Sequence, residues 1–349
     1  MTASVPTPVP AVAEALRRLA AAEPIDAALA EQVFGAIMQG DCSAPQLAAL
    51  LMGLRARGES ADELAGAVRA LRRAMVRVPD APHDAVDTCG TGGGRISTFN
   101  ISTTAAFLVA GAGVSVAKHG NRSFTSRSGS ADVLEALGVR LSLAPERASA
   151  VLREVGLVFL FAPDHHPAMR HVGPVRRELA VPTLMNLVGP LANPAGVRRQ
   201  VIGVAEAARG PLVARALLAL GAVHAMVVHA EAGMDEISPV GPTYVWEVRE
   251  GAVHAWTLDP RELGVPDVTL EALAGGSPIE NAERLRALLG GASDAAGRWA
   301  VLLNAAAALY VSGRVPSMAD ALTAARDSLE SGAAAAVLAE LRRATCTSG

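Results

Sequence analysis

Aromatic side chains make up only 3% of this 349-residue sequence, so its core must be assembled from Ala, Leu, Val and Gly, as in compact α/β or helical proteins. Cysteine is equally scarce. Cys42, Cys89 and Cys346 are an odd number at wide separations, which excludes a disulfide framework and a paired-cysteine zinc site. No block of Lys or Arg occurs, and the formal charge is −3. The chain therefore lacks the electrostatic footprint of a protein that binds a long polyanion such as DNA. No stretch reaches the roughly 18 apolar residues of a membrane span, and the opening MTASVPTPVP has no basic cluster followed by an apolar run. Reduced cytosol is the expected location.

What is present divides the chain in two. From Val9 to about Val78, apolar residues recur at i, i+3 and i+4 in AVAEALRRLA, LAEQVFGAIM, QLAALLMGLRA and ELAGAVRALRRAM, which predicts four helices. Ser43 with Gln46 and Ser60 with Glu63 have capping-box spacing, and Gly58 stands where the intervening helix should stop. An all-helical leader of this kind keeps an apolar face to bury, and a homodimer contact is expected there. After VPDAPH the texture changes. AVDTC, VSVAK, LVFLF, QVIGV and HAMVVHA alternate with helical stretches, which predicts a largely parallel sheet. TYVWEVRE and AVHAWTLD, broken near Gly251, read as an added hairpin, and helices are expected from Leu270 to Leu341. The expected division is residues 1–80, joined by helices from about 178–198, and an α/β domain of residues 81–349.

Three segments carry chemistry. AVDTCGTGGGRISTFNIST is a strand, a loop with four glycines and a helix beginning near Ile101. Glycines let backbone N–H groups turn inward, and a helix start adds orphan amides and the positive end of a dipole, so anions bind there. The spacing is neither a P-loop nor a dinucleotide fingerprint, since Arg95 stands where the third glycine would be. KHGNRSFTSRSGSAD, read as a loop after a strand, gathers Lys118, Arg122 and Arg127 among hydroxyl and amide groups suited to phosphate oxygens. MDEIS supplies adjacent carboxylates, Asp235 and Glu236, the hard oxygen donors Mg²⁺ prefers. Each feature also has a plain structural use, as a tight turn, a solvated polar loop or a solvated acidic pair.

In this order and at these separations, GTGG, NIST, KHGNR, GSAD, PVRRELAVPTLMNLVGPLANP and MDEIS resemble the anthranilate phosphoribosyltransferases over nearly the whole chain. The resemblance implies a small helical domain carrying a dimer contact and a larger α/β domain with a mostly parallel sheet, of the nucleoside phosphorylase/phosphoribosyltransferase type. The active site would lie at the hinge between them. It implies transfer of the phosphoribosyl group of phosphoribosyl pyrophosphate (PRPP) to the amine of anthranilate, with Mg²⁺, in tryptophan biosynthesis. Carried over by position, Gly90, Gly93, Gly94, Thr98, Asn100, Ile101, Ser102, Thr103, Lys118, Ser126 and Ser130 would hold PRPP. Ser102, Asp235 and Glu236 would meet Mg²⁺. Gly90, His119, Asn121 and Arg176 would meet anthranilate, and Lys118, Asp235 and Glu236 would be catalytic. The family's GTGGD loop ends here in Gly94, which removes a negative charge, and Thr125 replaces a common Ser. Two rival readings of the fold are a nucleic-acid-binding relative with decayed loops and a pyrimidine nucleoside phosphorylase-like enzyme. Intact loops and the negative net charge disfavour the first, and KHGNR and PVRRE disfavour the second.

Overall fold

The computed structural model describes residues 9–123 and 127–346, which divide into two compact units. The first runs up to Val76 and takes in a returning segment, His166–Ala192. Its leading helices are α1 (Pro10–Ala20), α2 (Ala27–Gln39), α3 (Ala44–Arg57) and α4 (Ala61–Ala74). Their predicted punctuation is present. Ser43 and Ser60 each accept from the N–H three residues on, Gln46 and Glu63 return the bond to the cap, and Gly58 ends α3. Glu63 is fully buried yet satisfied, because Arg57 and the backbone N–H of Ile25 also bond its carboxylate. Two donors of Arg72 on α4 reach the carbonyl of Leu191, so the returning segment is stitched into this unit.

The second unit, Arg77–His165 and Asn193 onward, is built on one seven-stranded sheet. Its strands are β1 (Val86–Gly90), β2 (Val116–Gly120), β3 (Leu157–Phe161), β4 (Arg199–Gly203), β5 (His224–Ala230), β6 (Thr243–Arg249) and β7 (Ala252–Leu258). They lie in the order β3-β2-β1-β4-β5-β6-β7. The first five are parallel, and β6 and β7 add the antiparallel hairpin expected from the break at Gly251. Helix α5 (Ile101–Gly111) follows β1 and packs against the helix Ala295–Ser312; Ile101 and Thr103 to Ala110 are buried, so it needs no polar face. The helical tail begins at Pro278, later than the expected Leu270. Residues Glu271–Leu273 form a short 3₁₀ turn, and Ala274 bridges to Thr98, an extended pairing that the apolar pattern did not signal.

Strand order reverses between β1 and β4, where Gly90 pairs with Gly203. In open α/β sheets the crevice at the carboxyl ends of such a pair is the place for a ligand. Among the described residues, no helix is long and apolar enough to cross a membrane.

Candidate active site

The glycine loop leaves β1 at this reversal and is tied to β4. Thr91 donates its N–H to the carbonyl of Gly203 at 2.9 Å and accepts on Oγ1 from the N–H of Ala205 at 3.1 Å. Gly92 and Gly93 have φ of 66° and 81°, the left-handed region that favours glycine.

The acidic pair folds down on this loop. Asp235 Oδ2 accepts from the N–H of Gly92 at 3.0 Å, and a side-chain carbon on Gly90 would stand 2.6 Å from the same oxygen. Glu236 turns to the start of α5, where Oε1 accepts from the Ser102 N–H at 3.0 Å and Oε2 from Thr98 Oγ1 at 3.4 Å. Glu236 thus caps one orphan amide of α5 from outside the helix. Both carboxylates are half-buried, and desolvation raises both pKa values. Glu236 is pushed up to about 8 by burial and by its neighbour Asp235.

Lys118 approaches from the sheet. Its ammonium donates to the carbonyl of Thr88 on β1 and to Ser102 Oγ at 3.2 Å on α5. Beneath it, Asp87 is fully buried and accepts from the His119 N–H at 3.1 Å and from Asn193 Nδ2 at 2.8 Å. Burial pushes Lys118 down and Asp87 up, while attraction between the two charges opposes both shifts. Thr88, Cys89, Ser102, Gly203, Asp235 and Glu236 line one cavity at the centre of this arrangement.

Two family models cover the chain. The model described as glycosyl transferase family, helical bundle domain, matches residues 13–75, and that described as glycosyl transferase family, a/b domain, matches residues 82–335. The anthranilate phosphoribosyltransferase of Rubrobacter xylanophilus is 51% identical over 325 residues, covering 93% of this chain and 95% of the relative. That of Azorhizobium caulinodans is also 51% identical, over 317 residues, 90% of this chain and 91% of the relative. The chain belongs to the anthranilate phosphoribosyltransferase family. It is a glycosyltransferase. The anthranilate phosphoribosyltransferase structure from Thermus thermophilus superposes with a TM-score of 0.90 at 42% identity, covering 95% of this chain and 99% of that one. The enzyme from Saccharomyces cerevisiae in complex with PRPP and Mg gives 0.87 at 26% identity, covering 96% and 97%.

Most of the phosphoribosyltransferase residues expected from the sequence meet in the second unit. Gly90, Gly93, Gly94, Thr98, Asn100, Ile101, Ser102, Thr103, Lys118, Asp235 and Glu236 belong to the glycine loop, the first turn of α5, β2 and the acidic pair. Ile101 is wholly buried and Thr103 nearly so, which leaves them backbone groups for a ligand. Ser126 and Thr125 lie outside the described residues. Ser130 Oγ donates to the Asn121 carbonyl at 3.3 Å, closing the turn after β2. His119 is buried on β2, and Asn121 follows that strand. Arg176 lies in the first unit, on the helix Gly173–Leu179; burial lowers its pKa, and among the described residues no carboxylate pairs with it.

Two expectations are corrected. Lys118 is in the strand β2, 3% exposed and bonded on both sides, so it is not a loop cation. Arg122 is committed to Asp132 at 2.9 Å and Glu135 at 2.8 Å, which neutralises it in place. The sequence reading also missed Asp87, Asn193 and Asn304. Asn304 donates to the Ile237 carbonyl at 2.8 Å and accepts from its N–H at 3.0 Å, holding the residue after Glu236. A lone Asn within VLLNAAAALY was the available signal, since a buried amide needs partners.

Proposed function

We propose that the chain transfers the phosphoribosyl group of PRPP to the amine of anthranilate, giving N-(5-phosphoribosyl)anthranilate and pyrophosphate in tryptophan biosynthesis. One observation supports this site above the others. At the strand-order reversal, a glycine loop, a helix start, a buried lysine and two carboxylates are joined to one another by hydrogen bonds. The glycine loop and the first turn of α5 present backbone N–H groups to pyrophosphate oxygens, with Asn100 and Ser102 adding side-chain donors beside the Thr98 and Ser130 hydroxyls.

The donor set suits a hard divalent cation. Asp235 and Glu236 are oxygen donors whose pKa values are raised by burial, so a cation between them would favour their ionised forms. Asp235, Glu236 and Ser102 would hold Mg²⁺, which when bound would offset the charge accumulating on the leaving pyrophosphate. Lys118 adds a fixed positive charge behind Ser102 and keeps that hydroxyl turned to the cavity wall. An arylamine is already neutral at pH 7, so the chain has to position it near the ribose carbon rather than deprotonate it first.

We assign Arg176 to the anthranilate carboxylate and His119, Asn121 and Gly90 to its ring and amine. A desolvated guanidinium with no acidic partner among the described residues is suited to a carboxylate, which it can grip through two oxygens. Arg176→Ala should raise the KM for anthranilate by about tenfold or more with little change in kcat. An unchanged anthranilate KM in steady-state assays would remove Arg176 from this role.

Gly94 lacks the acid found in relatives of the GTGGD type, and a Cβ there would lie 3.3 Å from Asp235 Oδ1. Gly94→Asp should therefore lower the Mg²⁺ concentration for half-maximal activity, by adding an oxygen donor beside Asp235. Superimposable Mg²⁺ activation curves for the two proteins would dismiss that account.

The two compact units are proposed as the two domains, in a cytoplasmic homodimer formed through the helical unit. Apolar Met52 and Val181 on its surface support such a contact. Light scattering tests the dimer. The activity itself is tested by loss of anthranilate fluorescence on addition of PRPP and Mg²⁺, and absence of turnover would refute it.

A further inference from the structure

The helix Pro278–Leu289 opens on a capping box in which Glu280 Oε2 accepts from the Ser277 N–H at 2.7 Å. The next residue, Asn281, is 3% exposed, and its partners tell its two amide atoms apart. A backbone N–H can only donate, and that of Gly276 lies 2.8 Å from Asn281 Oδ1. Nδ2 is therefore the atom that meets Asn100, 2.9 Å from Asn100 Oδ1.

This settles the second amide as well. With its Oδ1 taken by Asn281, Asn100 must turn its NH₂ group the other way, where it donates to the Ser128 carbonyl at 3.4 Å. Asn100 caps the helix α5 whose first turn faces the cavity, and its own side chain makes no capping bond. The anchor is rigid. Phe99 donates to the Leu273 carbonyl and Gly275 to the Ser97 carbonyl, both at 3.0 Å, and a Cβ on Gly275 would stand 2.4 Å from the Thr98 carbonyl oxygen.

We propose that Asn281 is a positioning residue for PRPP. A relay from the Gly276 N–H through Asn281 selects the orientation of Asn100 in which its NH₂ group, with one hydrogen on the Ser128 carbonyl, keeps a second donor, rather than a carbonyl oxygen, for a phosphate-bearing ligand. The inference rests on the reading of this cradle as the PRPP site. Without the relay, Asn100 exchanges a donor for an acceptor by a half-turn of its amide and meets the ligand with like polarity.

Asn281→Asp tests this, because the variant is isosteric. One oxygen still accepts from Gly276, while the other faces Asn100 Oδ1 and drives its NH₂ inward, leaving a carbonyl towards the ligand. In calorimetric titrations with PRPP and Mg²⁺, Asn281→Asp should raise the Kd for PRPP about tenfold. Its KM for anthranilate should stay within about twofold, and in an Asn100→Ala background the same change should cost no more than about twofold in PRPP affinity. Wild-type PRPP affinity in Asn281→Asp, or a full penalty persisting without Asn100, overturns the proposal; the second result would indicate a general charge or packing effect. If Asn281→Asp gives no cooperative melt, Asn281→Ala enters the same cycle. There an increase in Kd of about threefold that depends on Asn100 upholds the relay, and an additive one overturns it. Failure of the wild-type protein to bind PRPP would take down the cradle reading too, whereas normal wild-type binding with an unaffected Asn281→Asp takes down only the relay.

Discussion

Asp235→Ala combined with Glu236→Ala should lower kcat/KM for PRPP by about 10²–10³ or more, the scale on which lost charge stabilisation in a water-poor site is felt. The fold should survive, because these carboxylates are held in a conformation that burial makes costly. Glu236 shows the cost most clearly. Its ordinary pKa of 4.5 is raised to about 8, so the folded protein holds a proton that the unfolded chain has released between those values. Stability is therefore drained as pH rises through that window, and the full cost is reached above it. Glu236→Gln cannot ionise, yet it keeps an oxygen to accept from Ser102. Without Mg²⁺, its Tm should match wild type near pH 4 and exceed it by about 2 °C or more near pH 9. Scanning calorimetry at both pH values checks this. A Gln variant that melts lower at high pH would mean the carboxylate contributes to stability and would undo the argument for a cation site.

A single methyl group should do nearly as much damage. In Gly203→Ala the new Cβ would stand 1.6 Å from the backbone oxygen of Asp235 and 2.4 Å from its carbonyl carbon. These are main-chain atoms of the segment that holds the acidic pair, and that segment has to move. Overpacking of this kind costs about 1–3 kcal/mol. A shift of about 1 Å in catalytic groups can lower turnover about 10²-fold. The expected result is a lower Tm together with a loss of activity too large for the remaining folded fraction to explain. Gly35→Ala in α2, where a Cβ meets nothing within 4 Å, is the control and should leave activity unchanged and the Tm no lower. Normal activity in Gly203→Ala would show that the acidic segment tolerates displacement and is not held in register for catalysis.

The elements were legible where one local rule decided them. Ser43 and Ser60 punctuate α3 and α4 because a capping box needs only four consecutive residues. The strand β3 is legible because its residues, LVFLF, form the unbroken apolar run that buried parallel strands show. Lys118 misled because it stands where the predicted strand VSVAK gives way to the polar segment KHGNR. Only the pairing of β2 between β1 and β3, with Asp87 below, makes a lysine tenable there. Arg122 misled for the opposite reason, since its acidic partners Asp132 and Glu135 stand in the next helix and single cations were counted without them. The glycine loop and acidic pair were found by residue type. The amides that orient them were not, because Asn304 meets Ile237 across 67 residues and Asn281 meets Asn100 across 181. No local pattern records such pairings.

The helical unit is made of two stretches, with residues 77–165 of the sheet-bearing unit between them. A growing chain that has emitted α1 to α4 lacks the Leu191 carbonyl on which Arg72 is anchored. Synthesis must pass the first three strands before that partner emerges. The leading helices therefore complete their packing late on the ribosome, and a fragment cut after Val76 would expose the surface that His166–Ala192 normally covers.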